Sequence, residues 1–230
     1  LEFRRVLFRS TSFEVDARNL GWVAQQRKLD NGALHASGEA WLSGAKDAKV
    51  VEVKASGSMQ KLNPAAFGSP FAGSINGDFD ASGRTGANMG GSVNLTLQQS
   101  TLSNSPLWGH AKLTADKRHV SNADVDLHLG ANVVAARGAF GSGRDTLQWR
   151  IDAPQLAALG PDFGGVLRGA GTLSGTMDTP SLTASLDGQN LRMKAQNLKS
   201  LHATANLGSG RGAADPLALD VQIADYAGGA

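Results

Sequence analysis

Apolar and polar residues alternate with a period of two along nearly the whole chain. In "SVNLTLQ", Val93, Leu95 and Leu97 fall on one side and Asn94, Thr96 and Gln98 on the other. "ADVDLHLG" sets Val125, Leu127 and Leu129 against Asp124, Asp126 and His128. "TLQWRIDA" sets Leu147, Trp149 and Ile151 against Gln148, Arg150 and Asp152. "LALDVQIA" sets Leu217, Leu219, Val221 and Ile223 against Ala218, Asp220 and Gln222. Each segment predicts a β-strand with one dry and one wet face. Gly, Asn, Asp and Ser between them supply turn signals, Asp187-Gly188 and Asn76-Gly77 among them. Asn76-Gly77 also fits a bulge inside a strand.

The strands recur. "FEVDARNL" (13–20) matches "WRIDAPQL" (149–156), and "VDLHL" (125–129) matches "LDVQI" (219–223). Each unit reads as a strand, a short helical turn, a glycine phrase and further strands. The turns are "LNPAAFG" (62–68) and "PQLAALG" (154–160), with Pro154 suited to a first helical position and Gly68 and Gly160 to an end. The units run approximately over 11–50, 51–146 and 147–230. Their recurrence after roughly 90 residues is too long for a β-solenoid, whose repeats are shorter.

The glycine phrase "GVLRGAGTLSG" (165–175) looks like a phosphate loop, but the third glycine of G-x-G-x-x-G is missing. The same phrase returns as "GALHASGEAWLSG" (32–44) and "GSINGDFDASG" (73–83). Leu167, Gly169, Gly171 and Leu173 then form one side of a strand with a small-and-large pattern. Glycine inside a strand implies a close approach or a bend, and its recurrence predicts a sharply curved sheet.

Composition changes the picture at one end. "LEFRRVLFRS" is dense in arginine and bulky apolar residues, and is set aside as a read-through or cloning scar covering residues 1–10. It holds three arginines and one glutamate. The chain has 22 basic and 20 acidic residues, so the remainder is neutral, 19 against 19. The basic pI of 9.1 therefore comes from this tail and carries no nucleic-acid signal. Aromatics are 6% of the chain, so any core is thin and built of Ala, Val and Leu; cysteine is absent, which removes disulfides and thiol chemistry. No apolar run reaches membrane-spanning length. The ends read as cuts through a longer protein.

The polar residues show no catalytic or metal-binding pattern. His35, His110, His119, His128 and His202 lack metal-ligand spacing. Asp78-x-Asp80 and Asp124-x-Asp126 put two carboxylates on one strand face, for calcium at a sheet edge or, as the better reading, for water. No G-x-S-x-G elbow occurs. Trp22, Trp41, Trp108 and Trp149 read as strand-end and core packing, or as the mouth of a groove. No cofactor, metal or catalytic residue is expected.

The segment "IDAPQLAALGPDFGGVLRGAGTLSGTMDTPSLTASLDGQNL", with its LxGxGxLSG phrase, resembles the TamB family of translocation and assembly module subunits and the wider group of AsmA-like envelope proteins. The resemblance is clear over about 145–207 and weak over 11–230. It implies an all-β, elongated, curved repeat sheet forming a U-shaped hydrophobic groove, a β-taco, with one or two short helical turns. It implies a non-catalytic periplasmic bridge in a Gram-negative envelope, anchored in the inner membrane and meeting the outer-membrane barrel protein TamA through a C-terminal region outside this sequence. Such a bridge conducts phospholipid, supports outer-membrane protein assembly and secretion, or both.

Physics points the same way, since a long sheet with one apolar face and no long helix must fold on itself or hold a guest. The groove lining is expected to include Val93, Leu95, Leu97, Val125, Leu127, Leu129, Ile151, Leu173, Leu219, Val221 and Ile223, facing phospholipid acyl chains. Without its neighbours the chain should self-associate. A structural β-repeat passenger of a surface adhesin is the alternative; a polysaccharide hydrolase would need paired carboxylates in a cleft, which no motif marks.

Overall fold

A computed structural model describes residues 9–17, 32–44, 49–208 and 217–228. The strands are β1 (Arg9–Ala17), β2 (Ala33–Ser43), β3 (Val50–Leu62), β4 (Gly73–Arg84), β5 (Gly90–Leu102), β6 (Ser105–Asp116), β7 (Val120–Leu129), β8 (Asn132–Phe140), β9 (Thr146–Ala153), β10 (Phe163–Gly175), β11 (Pro180–Met193), β12 (Gln196–Leu207) and β13 (Leu217–Gly228). They form one 13-stranded antiparallel sheet in sequence order. The fold is all-β and open. Antiparallel pairing throughout is not the parallel coil of a solenoid. β1 pairs from Arg9, opposite Leu42, so the sheet takes up two residues of the opening segment. Residues 1–8 lie outside the described residues, as does Trp22.

The two helical turns are 3-10 helices, Pro64–Phe67 and Leu156–Leu159. Pro64 takes the first helical position of the earlier one, Asn63 Oδ1 accepts from Ala65 N at 3.1 Å, and Gly68 closes it with φ 88°. In the later one, Gln155 stands at the cap position, so Pro154 precedes the helix rather than opening it. These turns join β3 to β4 and β9 to β10, six strands apart in each case, the spacing of the sequence repeat. The dipeptide His-Ala also repeats, at 110–111 and 202–203, and its two copies fall on β6 and β12, again six strands apart.

Asn76-Gly77 and Asp187-Gly188 are not turns. Both lie inside strands, β4 and β11. Register shifts mark bulges at Gln60-Lys61 in β3, Gln98-Gln99 in β5 and Asn190-Leu191 in β11, where Lys61, Gln99 and Asn190 adopt φ of 49°, 47° and 48°. Asn76 ties the first two together. Its Oδ1 accepts from Lys61 N at 2.9 Å, and its Nδ2 donates to Gln99 O at 2.9 Å. A bulge adds a residue to one strand only, so the strand bends and twists more there.

The sheet curves strongly as a result. Phe71, just ahead of β4, meets Phe163 at the start of β10 with ring centroids 5.9 Å apart. The six strand spacings between β4 and β10 measure about 29 Å along the sheet. Ring reach and two residues of chain bring the strand starts within about 20 Å of each other. An arc of that length with so short a chord turns through roughly half a circle. At the opposite rim, Arg118 in the β6–β7 turn pairs with Asp178 in the β10–β11 turn.

Candidate functional site

Pairing register assigns each residue to a face. One ladder runs Ala36, Gly57, Phe79, Leu95, Ala111, Val125, Ala136, Trp149, Gly171, Ala184, Ala205, Leu219 from β2 to β13 without a polar residue. A parallel ladder one step away carries Leu97, Leu127, Ile151 and Val221, and another carries Val93, Leu113, Leu173 and Leu182. Leu129 and Ile223 belong to the next row. All eleven residues expected to line a groove therefore lie on one face. The reason is the pleat: a period-two pattern held in register cannot change sides.

That face is the inside of the bend. Asn132 stands on it and is 7% exposed. It donates from Nδ2 to Gln155 O at 2.8 Å and accepts from Gln155 N at 2.9 Å, which holds the 154–162 segment against this side. Phe163, which follows that segment, meets Phe71.

Little else covers it. Of the expected lining residues only Leu97 is buried; Leu95, Val125, Leu127, Leu129, Ile151 and Leu173 are half-buried. Val93, Leu219, Val221 and Ile223 are exposed, Leu219 at 62%. No large apolar side chain among the described residues is fully buried. Buried small residues such as Ala65, Ala66 and Ala158 sit in the two 3-10 segments. The apolar face is an open surface rather than a dry core.

Glycines on this face shape it. A Cβ at Gly57, Gly77, Gly109 or Gly138 would lie 2.1–2.2 Å from a carbonyl oxygen of the neighbouring strand. At Gly171 a Cβ would lie 2.7 Å from Trp149 Cε2 and 2.6 Å from Thr183 O. The repeated glycine phrase thus serves both purposes open at the sequence level: it permits the bend, and it clears a bed for large side chains lying across the next strand. Trp149, Phe79 and Leu113 belong to the apolar surface although sequence reasoning left them off the lining. Their alternation was visible, but their place in a row needed the register.

The other face is polar. Four histidines pair with aspartates there or at its rim. His128 Nε2 lies 2.8 Å from Asp126 Oδ1, His110 Nε2 3.5 Å from Asp124 Oδ1, His119 Nε2 2.8 Å from Asp145 Oδ2, and His202 Nδ1 2.6 Å from Asp187 Oδ1. Partial burial pushes the Asp124 carboxyl up, but hydrogen bonding from His110 and the charge of Arg137 outweigh it and hold it below its ordinary value. Asp145 is lowered by hydrogen bonds from Ser142, against partial burial, with His119 adding to the effect. Trp108 is on this face, 49% exposed, so it is neither core nor part of the apolar surface. Among the described residues no three acidic or imidazole groups converge as a metal site, and no helix is long and apolar enough to cross a membrane.

Profile comparison matches residues 23–228 to the family described as TamB, N-terminal domain. The chain belongs to the TamB family. It thereby joins the envelope proteins of Gram-negative bacteria. No curated protein and no solved structure matches it.

Proposed function

We propose that this chain is a non-catalytic segment of a periplasmic bridge, and that its apolar face carries phospholipid acyl chains between the inner and outer membranes. The observation that supports this reading is an apolar ladder crossing twelve strands on the inside of a bend, with its side chains still open. Each buried methylene contributes about 0.8 kcal/mol. A chain of a dozen methylenes half-covered by the sheet is held by roughly 5 kcal/mol with no polar recognition. The Leu, Val and Ala rows offer neighbouring positions of similar energy, so a guest can slide along them. In the family's bridge the anchor in the inner membrane and the contact with TamA belong to other regions, and support of outer-membrane protein assembly would use the same surface for apolar segments of client chains.

The test is photo-crosslinking in cells from Leu95, Leu127 and Val221, compared with Thr96, Asp126 and Gln222 on the polar face. Lipid adducts from the first set and none from the second are expected. Equal labelling of both sets refutes the conduit.

A further inference from the structure

The polar face carries a second candidate site, independent of the lipid surface. Trp108 on β6 and His128 on β7 are cross-strand partners, with rings stacked at 3.6 Å and 8° between planes. His128 is in turn held by Asp126 Oδ1 at 2.8 Å. One face of the indole is thus pinned against the imidazole, while the residue remains 49% exposed. Asp126 also begins an open trough of about 840 Å³ that runs from β7 to β12 between two rows of polar side chains. Gln148, Arg150, Thr172, Thr183, Ser185 and Asn206 line it. None of these six side chains hydrogen-bonds to another group among the described residues.

We propose that Trp108 and this trough form a binding site for a linear saccharide chain. Five features point to that chemistry. The backbone N–H and C=O groups of the floor are already paired in the ladders, so an extended peptide finds no main-chain partners there. What remains free is hydroxyl, amide and guanidinium, which match a polyhydroxyl ligand. The indole is a flat apolar plate for the C–H face of a sugar ring, and its stacking on His128 means little freedom is lost on binding. The trough spans five strand spacings, about 24 Å, the length of four or five linked rings. The trough is open and flanked by polar side chains, which suits water-bridged contacts and modest affinity. Trp108 is the stacking residue and Arg150 the donor from the trough wall.

The experiment titrates the whole chain with chitopentaose, cellopentaose and maltopentaose, following tryptophan fluorescence and heat. Saturable binding of at least one probe below ~10 mM is expected, weakened about tenfold or more by Trp108→Ala and several-fold by Arg150→Ala. Leu127→Asp, on the opposite face, should leave saccharide binding unchanged while interrupting lipid adducts, so the two sites fail separately. Should Trp108→Ala not fold, Trp108→Phe keeps a smaller plate and should retain partial binding. Absence of saturable binding by all three probes overturns the site. So does binding indifferent to Trp108, or equal binding of an uncharged Ser/Thr-rich decapeptide.

Discussion

Changing Gly171 and Gly83 to alanine should move stability in opposite directions, although both glycines lie on the apolar face of interior strands. Glycine inside a strand is worth about 0.5–1 kcal/mol less than alanine, because it loses more chain entropy on folding. At Gly83 an added Cβ meets nothing within 4 Å, so Gly83→Ala should collect that gain. At Gly171 the Cβ would stand 2.7 Å from the Trp149 indole and 2.6 Å from the Thr183 carbonyl oxygen. The carbonyl belongs to the ladder and cannot swing away. Overpacking of this kind costs about 1–3 kcal/mol, which exceeds the entropy gain and leaves Gly171→Ala destabilised by roughly 1–2 kcal/mol. A domain of this size shifts by about 2–4 °C per kcal/mol. Calorimetry or circular dichroism should therefore show Gly83→Ala melting about 1–4 °C higher and Gly171→Ala about 2–8 °C lower than the parent. Trp149→Phe in the Gly171→Ala background should recover part of the loss, because a smaller ring leaves room for the methyl. The carbonyl contact should keep the recovery incomplete. Shifts of the same sign for the two alanines would refute the account of the glycine phrase as a bed for Trp149.

Asp124 and Asp145 have folded pKa values below their unfolded ones, so the stability they confer is complete above the ordinary aspartate value of about 3.9 and is lost as pH falls through their lowered folded values. Thermal melts should show an acid limb beginning below about pH 4 that is shallower in Asp145→Asn; an unchanged limb contradicts the assignment. Among the described residues no strand pairs with the outer edge of β1 or β13, and the chain beyond residue 10 has no net charge, so sedimentation at tens of micromolar, roughly, should show self-association. A stable monomer would contradict it.

The two-residue alternation was sufficient to name the fold class and to sort side chains into a dry and a wet set, because the pleat leaves a strand residue only two directions to point. It therefore placed Val93, Leu127 and Ile223 on one face before any partner strand was known. The helical turns and the ninety-residue recurrence were equally legible, since proline, asparagine and glycine act through local geometry. Local geometry did not distinguish a turn from a bulge: Asn76-Gly77 became a bridge between two bulged strands because Lys61 and Gln99 arrive beside it from β3 and β5. Nor could it show which ring fills which glycine. Gly171 and Trp149 are 22 positions apart and meet only through the pairing of β9 with β10. Trp108 likewise read as packing from composition alone, whereas register turned it outward onto His128. The bend itself is the clearest tertiary property. Phe71 and Phe163 touch across six strands because small rotations at glycines and bulges add up, and only their sum decides whether an apolar face lies flat, closes on itself or remains an open gutter.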